Sequence, residues 1–528
     1  MNTKALRQKI LDLAIRGKLV PQDPNDEPAE VLLERIRKQK QQMLKEGKLK
    51  KKDIKNDTII FKGEDNLHYE KFQDGTVKCI EDEIPFEVPK GWEWCRLNDI
   101  YNFIDYRGAT PTKTTNGIPL VTAKNVKSGY IDYTIDDYIS EEEFKERQQR
   151  GISKKGDILF TTEAPLGNAA LADIEKFSAG QRLITFQQYG PKNELINYVM
   201  LMFILSDFFQ QQLYVNKTGS TVSGIKAAIL KTLWIPVPPY NEQLRISNTL
   251  KSAIKLIDSI SQNKEILSTS ISNTKSKILD LAIRGKLVPQ DPNDEPASAL
   301  LERIRAEKEE LIKQGKIKRD KKESVIFKGE DNSYYEKIGT EVRCIDNELP
   351  FELPDSWMFV RLKHIGEIVG GGTPKTNISE YWDGNIPWLT PADFSGYKEM
   401  YVTSGARTIT EIGQKSSSAQ MLPANSVLYS SRAPIGYIAI AASPVSTNQG
   451  FKSVVPYDFA MSPYLYYCLK ARTGDIIQRA TGTTFKEISG SEMAETIISL
   501  PPITEQKWIC EKVAQLFNVI ITIEKSLN

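Results

Sequence analysis

A long internal repeat is the feature that most constrains how this chain can fold. The stretch KILDLAIRGKLVPQDPNDEPA occurs at positions 9–29 and again, without a change, at positions 277–297. Weaker likeness runs through the rest of both halves, including ILFTTEAPLG against VLYSSRAPIG and IPVPPYNEQ against ISLPPITEQ. The spacing between the copies far exceeds that of solenoid repeats, so the pattern predicts a duplicated domain.

The repeat is also circular. The likeness places Asn528 opposite Glu265 and Met1 opposite Thr269, so the two chain ends correspond to neighbouring positions in the middle of the chain. From Glu242 to about Arg284, apolar residues recur at spacings of four and three, which is typical of a long helix with one apolar seam. We expect its copy, divided between the chain ends, to pack antiparallel against it and to bring the termini together.

Between the near-identical stretches lie two divergent ones. Short β-branched and aromatic runs alternate there with Gly, Asn and Pro turns and are followed by helices, which indicates an α+β fold. The sequence thus predicts two globular α+β domains in a pseudo-twofold repeat, separated by two long antiparallel coiled-coil-like helices. The five predicted regions are a repeated region 1–87, a first domain 88–239, a central repeated region 240–352, a second domain 353–502 and a C-terminal helix 503–528.

Motifs for catalysis are missing from the sequence. The chain has two histidines and no phosphate-binding G-x-x-x-x-G-K-[ST] loop. An adenine-N6 methyltransferase places Asn or Asp before Pro-Pro-Tyr, whereas Val237 stands there in the first copy and Leu500 at the equivalent position of the second. No metal site is predicted. We therefore expect a chain that is not itself an enzyme and binds no cofactor.

The charge balance, the hydropathy and the cysteines bear on the cell compartment and on membrane contact. The 70 basic residues nearly cancel the 68 acidic ones, and no run approaches the ~20 apolar residues that span a bilayer. Five scattered cysteines without a C-x-x-C motif are typical of reduced thiols, which favours the cytoplasm and no membrane contact.

The divergent domains carry side chains suited to DNA. Arg, Lys, Asn and Gln match base edges in the major groove, and Thr-Gly loops can contact phosphates. The candidates in the first domain are Arg107, Lys113, Lys124, Asn125, Lys127, Gln181, Arg182, Lys217, Thr218, Ser220 and Thr221. Those in the second are Lys375, Asn377, Arg432, Asn448, Gln449, Lys452, Arg479, Thr481, Thr483, Thr484 and Lys486.

Taken together, the chain resembles the specificity subunit of type I restriction-modification systems. The resemblance rests on the duplicated AIRGKLVPQDPNDEPA segment, on P-x-GW-x-W-x-RL at 89–97 with its variant at 354–362, and on a Thr-Gly block followed by PP-x-x-EQ. It implies that two target-recognition domains each read one half of a split site in double-stranded DNA. It also implies that the near-identical stretches bind two copies of a methylation subunit.

The same resemblance assigns the chemistry to partners. S-adenosylmethionine and the methylation motif belong to the methylation subunits, and ATP with Mg²⁺ belongs to restriction subunits that cleave DNA. Two other interpretations stay open on the residues alone. One is a non-catalytic coiled-coil scaffold with paired α+β domains that bind proteins, and the other is a fused methyltransferase or nuclease, which the missing motifs disfavour.

Overall fold

A computed structural model describes residues 2–106, 110–148, 151–190, 193–219, 223–319, 323–349, 351–482 and 486–526. The chain forms two compact units, Met1–Lys264 and Glu265–Asn528, called here the first and the second unit. The division falls inside one helix, α8, which runs without interruption through Tyr240–Ile283. At 1.5 Å per residue this helix is about 66 Å long, as the continuous apolar spacing predicts.

The first unit contains eight helices in its described part when the start of α8 is included. They are α1 (Thr3–Ile15), α2 (Ala29–Lys45), α3 (Leu97–Ile100), α4 (Glu141–Arg147), α5 (Glu194–Ile204), α6 (Asp207–Val215), α7 (Ala227–Leu230) and α8. Its strands are β1 (Ile59–Lys62), β2 (His68–Lys71), β3 (Val77–Cys79), β4 (Glu93–Arg96), β5 (Tyr101–Asp105), β6 (Ile118–Val121), β7 (Tyr138–Ile139), β8 (Ile158–Thr161), β9 (Ala169–Leu171), β10 (Ser178–Ala179), β11 (Leu183–Gln188) and β12 (Trp234–Val237).

The second unit continues with the end of α8 and a similar series. Its other helices are α9 (Ala297–Lys313), α10 (Glu411–Lys415), α11 (Ser462–Arg479), α12 (Gly490–Ala494) and α13 (Ile503–Ser526). Its strands are β13 (Ser324–Lys328), β14 (Tyr334–Ile338), β15 (Glu341–Cys344), β16 (Met358–Arg361), β17 (Gly366–Gly370), β18 (Trp382–Leu389), β19 (Tyr401–Val402), β20 (Arg407–Ile409), β21 (Val427–Ser431), β22 (Ile435–Ala441), β23 (Ser446–Thr447), β24 (Lys452–Pro456) and β25 (Ile497–Leu500).

Both units build their sheets in the same order. The central sheet is β5-β11-β8-β9 in the first unit and β17-β24-β21-β22-β19 in the second. A three-stranded sheet stands beside each, β10-β6-β7 and β20-β18-β23, and another, β1-β2-β3 or β13-β14-β15, follows the second helix of each unit. The α+β class and the internal repeat predicted from the sequence are confirmed.

Each end of α8 packs against a helix from a chain terminus. In the first unit the core joins Leu11 and Ile15 of α1 with Ile246 and Leu250 of α8. In the second, the core joins Ile278 of α8 with residues of α13 such as Ile509 and Val513. The packing within each unit is the one that the apolar seam predicts.

The direction of each helix pair follows from polar contacts. Arg7, early in α1, pairs with Asp258, and Gln22, just beyond α1, donates to Glu242 at the start of α8 at 3.0 Å. Residue numbers therefore increase along α1 in the direction in which they decrease along α8, so the two helices are antiparallel. In the second unit Lys275 contacts Glu524 at 2.7 Å and Gln290 contacts Glu505 at 2.8 Å, in the same sense.

The identical turn after each of these helices has a steric reason. Gly17 has a φ of +64° and lies so close to Pro89 that a Cβ atom would stand 2.3 Å from its Cγ. Gly285 repeats this against Pro354 with a φ of +67° and a distance of 2.5 Å. A side chain at either position would be strained and would collide, so glycine is required in both copies.

A buried glutamate joins the two repeated stretches within each unit. Glu242 accepts hydrogen bonds from Trp92 Nε1 at 2.9 Å and from Gln22 Nε2 at 3.0 Å. Glu505 repeats both with Trp357 at 2.7 Å and Gln290 at 2.8 Å. Burial raises the pKa of both carboxyls. The glutamate of PP-x-x-EQ, at the start of each long helix, is thus buried and receives two hydrogen bonds in both units.

Some sequence predictions reach beyond what the structure describes. Met1 and Asn528 lie outside the described residues, so the meeting of the chain ends stays a prediction. The boundaries at 88, 240, 353 and 503 also stay predictions, because the division between the two units falls within α8. Leu267 lies within the predicted helix from Glu242 to about Arg284 but is exposed, so the apolar seam does not extend through it. Among the described residues, no helix is long and apolar enough to cross a membrane.

Candidate nucleic-acid interface

Three loops meet at one edge of the central sheet in each unit. In the first unit, Thr162 N donates to Arg182 O at 2.9 Å, and Ile225 N donates to Thr162 O at 3.0 Å. These two bonds link the loop after β8, the turn before β11 and the segment before α7. Two of the loops adjoin strands of the rigid sheet, and the third is bonded to one of them, so the sheet sets the position of all three.

The second unit repeats these connections. Ser431 N donates to Gly450 O at 2.7 Å, and Ile488 N donates to Ser431 O at 3.1 Å. Each unit also has a cis Ala-Pro bond in the first of these loops, before Pro165 and before Pro434. The backbone framework of this edge is therefore common to both units.

We call this feature the loop edge. Its described residues in the first unit are 110, 162–165, 180–182, 218–219 and 223–225. In the second unit they are 371–373, 431–434, 448–451, 481–482 and 486–488.

A threonine and a glutamine form the same contact in both loop edges. Gln181 Nε2 donates to the hydroxyl of Thr110, and the hydroxyl of Thr373 donates to Gln449 Oε1. The hydroxyl can both donate and accept, so it holds either end of the amide. Gln449 is exposed, and its held amide retains donor and acceptor capacity for a further ligand.

The charged groups beside this pair differ between the units. In the first unit Arg182 Nε lies 3.0 Å from Glu163 Oε1. In the second, Glu487 carries the negative charge, with Arg432 Nη1 and Lys452 Nζ each 3.6 Å from its carboxylate. The backbone framework is shared, and the charge pattern on it is not.

The loop edges bring together many of the residues predicted from the sequence. Backbone bridges place the Thr-Gly segments in the edge. Thr218 and Glu163 both form a bridge with Gly224, and Thr481 and Arg432 both form one with Glu487. The predicted residues that lie in the edge or contact it directly are Gln181, Arg182 and Thr218 in the first unit and Arg432, Asn448, Gln449, Lys452, Thr481 and Lys486 in the second.

Asn125 serves the fold rather than the interface. Its side chain is 2% exposed. The Oδ1 atom accepts from Thr122 N at 3.0 Å and from the Thr122 hydroxyl at 2.9 Å, and Nδ2 donates to the carbonyls of Asp132 and Ile135 at 3.0 Å. A side chain so enclosed cannot reach a base edge, and we remove it from the candidates.

Arg479 is likewise engaged within the protein. One guanidinium nitrogen donates to Glu492 O at 2.7 Å, and the other donates to the Thr496 hydroxyl at 2.6 Å. These bonds connect the end of α11 to α12 and to the residue before β25. The sequence could not show this, because the partners are contributed by a later segment of the chain.

Several predicted residues lie on the surface away from these contacts. Lys113 pairs with Asp137 at 2.7 Å, Lys127 donates to Lys124 O at 2.8 Å, and Lys217 lies 4.6 Å from the Tyr214 ring centre. Lys375 and Asn377 are exposed before β18. Among the described residues, we find no hydrogen bond or ion pair joining any of these to the loop edge. The predictions for Arg107, Ser220, Thr221, Thr483 and Thr484 fall outside the described residues.

One serine–histidine contact was not expected from the sequence. Ser324 Oγ lies 3.0 Å from His364 Nε2, and both side chains are buried. The first unit has Thr58 and Asp99 at these positions, where Thr58 N donates to Asp99 at 3.2 Å and burial raises the pKa of Asp99 to about 7. The shared role is to attach the start of a peripheral strand to the neighbouring turn. In the part of the chain that the structure describes, no cluster of acidic, His or Cys residues could hold a metal ion.

Sequence reasoning missed two residues of the loop edge that carry its charge pattern, Glu163 and Glu487. Carboxylates were not among the candidates, because basic and amide side chains are the commoner DNA-binding groups. The signal was present, since aligning TTEAPLG with SSRAPIG sets Glu163 directly against Arg432.

Comparison with known proteins supports the same family. A model of the type I restriction modification DNA specificity domain matches residues 89–268 and 354–528. The MjaIX specificity subunit of Methanocaldococcus jannaschii is 42% identical over 179 residues, which is 34% of this chain and 41% of that protein. The EcoAI specificity subunit of Escherichia coli is 31% identical over 424 residues, which is 70% of this chain and 63% of that protein.

A solved structure shares the fold. It is a chain from work on the "complex assembly and conformational transition of the type I R-M system", with a TM-score of 0.54 and 19% identity, covering 84% of this chain and 94% of that one. The matched part spans about two fifths to three fifths of the length of the curated relatives above. With two matched copies of the specificity domain covering most of its length, the chain belongs to the family of type I restriction-modification specificity subunits.

Proposed function

We propose that this chain recognises a bipartite, asymmetric site in double-stranded DNA, with one half-site bound by the loop edge of each unit. The observation that carries the proposal is the pair of loop edges, which share a backbone framework and a Thr–Gln contact and differ in charge. A shared framework suits a common task, and different side chains on it suit different half-sites.

The side chains at the loop edges have the chemistry that base recognition requires. Gln pairs with adenine through its amide, Arg pairs with the acceptors of guanine, and Glu accepts from the amino group of cytosine. All three types occur on these edges, as Gln181 and Gln449, Arg432, and Glu163. The exposed Thr-Gly segments add backbone amides and hydroxyls for phosphates.

In this proposal the chain is a specificity component and not an enzyme. It directs adenine methylation and ATP-dependent cleavage that partner subunits perform in the cytoplasm. Those partners hold S-adenosylmethionine, ATP and Mg²⁺, and the flipped adenine lies in their sites. We call the buried hydrogen-bonded group of Glu242, Gln22 and Trp92, with the residues packed around it, the frame of the first unit. It is repeated around Glu505 in the second unit, which favours two copies of one methylation subunit, with restriction subunits joining the full complex.

The test is the methylation pattern produced by the full chain expressed with its methylation subunit in a host without other adenine methylation. Single-molecule sequencing should show one split motif with a methylated adenine in each half and an unread spacer. An undivided motif, or no methylation from an assembled complex, would overturn the proposal.

The alternative of a protein-binding scaffold makes a different prediction. A scaffold without a DNA role would leave the mobility of duplex DNA unchanged both with and without the methylation subunit. For a specificity subunit, the assembled complex should retard a duplex carrying the motif. Its affinity for a duplex in which one half-site is scrambled should be lower by about tenfold or more.

A further inference from the structure

Glu163 and Arg432 occupy the same place in the two units. Each follows the central strand β8 or β21 directly or within two residues, and each precedes the cis Ala-Pro bond of its loop. Each also forms a backbone bridge to the segment after the Thr-Gly turn, Glu163 with Gly224 and Arg432 with Glu487. Opposite charges therefore stand at one position of a common backbone.

Both side chains retain bonding capacity for a ligand. The Glu163 side chain is 43% exposed, and its Oε1 atom lies 3.0 Å from Arg182 Nε. The Arg432 side chain is 37% exposed, and its 3.6 Å contact with Glu487 is an ion pair longer than a hydrogen bond. The exposed carboxylate of Glu163 and the guanidinium hydrogens of Arg432 can thus face a base.

A carboxylate at a DNA-binding edge needs a particular explanation. Phosphates repel it, so Glu163 adds nothing to non-specific attraction and must serve the base or the fold. The equivalent position of the second unit carries the opposite charge, so the Glu163–Arg182 pair is not part of the shared framework. The backbone contacts persist while the charge reverses, as expected of a position that contacts a different base in each half-site.

We propose, building on the function proposed above, that this position determines one base of each half-site. Glu163 accepts a hydrogen bond from the N4 amino group of cytosine in one half-site. Arg432 donates to O6 and N7 of guanine in the other half-site. Arg182 and Glu487 hold these side chains at the loop edge through their ion pairs.

The test uses the full chain assembled with its methylation subunit and reads the methylated motif by sequencing. Glu163→Gln should shift one base of one half-site from cytosine toward adenine, and Glu163→Arg should shift it toward guanine. Arg432→Glu should change a guanine to cytosine in the other half-site only. Each preference should change by about tenfold or more, as expected for one base-specific contact.

Glu175→Arg is a matched control. It makes the same charge change in the first unit, at an 80% exposed side chain outside the loop edge, and should leave the motif unchanged. Should a variant complex lose methylation, duplexes selected by binding from a library randomised in one half-site give the same information. Unchanged cytosine for Glu163→Gln in either assay overturns this assignment while a split wild-type motif still supports the proposed function. A wild-type motif that is not split would instead overturn the proposed function itself.

Discussion

The two units agree where the chain packs against itself and differ where loops meet solvent. Glu242, Gln22 and Trp92 form the same buried hydrogen-bonded group as Glu505, Gln290 and Trp357. At the loop edge, Glu163 in one unit stands where the other has Arg432. Packing and buried hydrogen bonds restrict a residue to one choice, whereas an exposed position on a fixed backbone is free to follow its ligand.

The frames of the two units also differ in one ion pair. Arg245 pairs with Asp26 at 2.5 Å in the first unit. The repeat has Trp508 in place of this arginine, and a buried oxygen of Asp294, the counterpart of Asp26, has no hydrogen-bond partner among the described residues. The frame of the second unit therefore lacks one ion pair that the first unit has.

The largest effect should come from breaking the shared frame. Trp92→Ala removes a buried ring and leaves Glu242 without one donor, which should destabilise the first unit by about 3–5 kcal/mol. Hydrogen exchange read by mass spectrometry should show faster exchange in residues 2–264 and little change in the second unit. Trp357→Ala should give the mirror result.

Trp508→Ala provides the control, because this ring is 39% exposed and should contribute less than about 1 kcal/mol. If Trp92→Ala increased hydrogen exchange equally in both units, the two units would not be stabilised independently, contrary to this prediction.

An intermediate effect should appear at low pH in the second unit. Hydrogen bonds from Arg361 and Arg343 overcome burial and lower the pKa of Glu336 to about 2. The stabilisation is complete above the unfolded value of 4.5 and is lost as the pH falls from about 4.5 toward 2. The loss should amount to about 3 kcal/mol.

Glu336→Gln should remove this part of the acid dependence, measured as the free energy of unfolding by urea between pH 5 and pH 2.5. A variant whose stability falls as steeply as that of the wild type would show that the Arg361 pair does not govern the acid response.

The smallest effect concerns the missing ion pair. Trp508→Arg should give Asp294 the partner that Asp26 has in Arg245, and so stabilise the second unit by about 0.5–1 kcal/mol. The gain should shrink in high salt, as for any partly exposed ion pair. Thermal unfolding at two salt concentrations measures both points. A loss of stability at low salt would contradict the prediction, because it would show that the Trp508 ring stabilises the second unit more than the new ion pair does.

The sequence predicted most of the frame, because the repeat marks its residues twice. The apolar spacing and the repeat predicted the long helix and its antiparallel partner. The site was predicted less well, since the chemistry of a side chain does not reveal its burial. Asn125 has a suitable side chain and is enclosed, whereas Glu163 was not among the candidates and lies on the loop edge. The Ser324–His364 contact could not be foreseen, because 40 residues separate the partners.

Recognition of each half-site by its own unit can be tested by exchanging the recognition domains. The most direct measurement replaces residues 88–239 with the equivalent segment of a relative that has another specificity, and then sequences the methylated motif of the assembled complex. Replacement of residues 353–502 in a second variant provides the matched control. The first exchange should change one half of the motif, and the second exchange should change the other. A change in both halves after either exchange, or in neither, would contradict recognition of each half-site by its own unit.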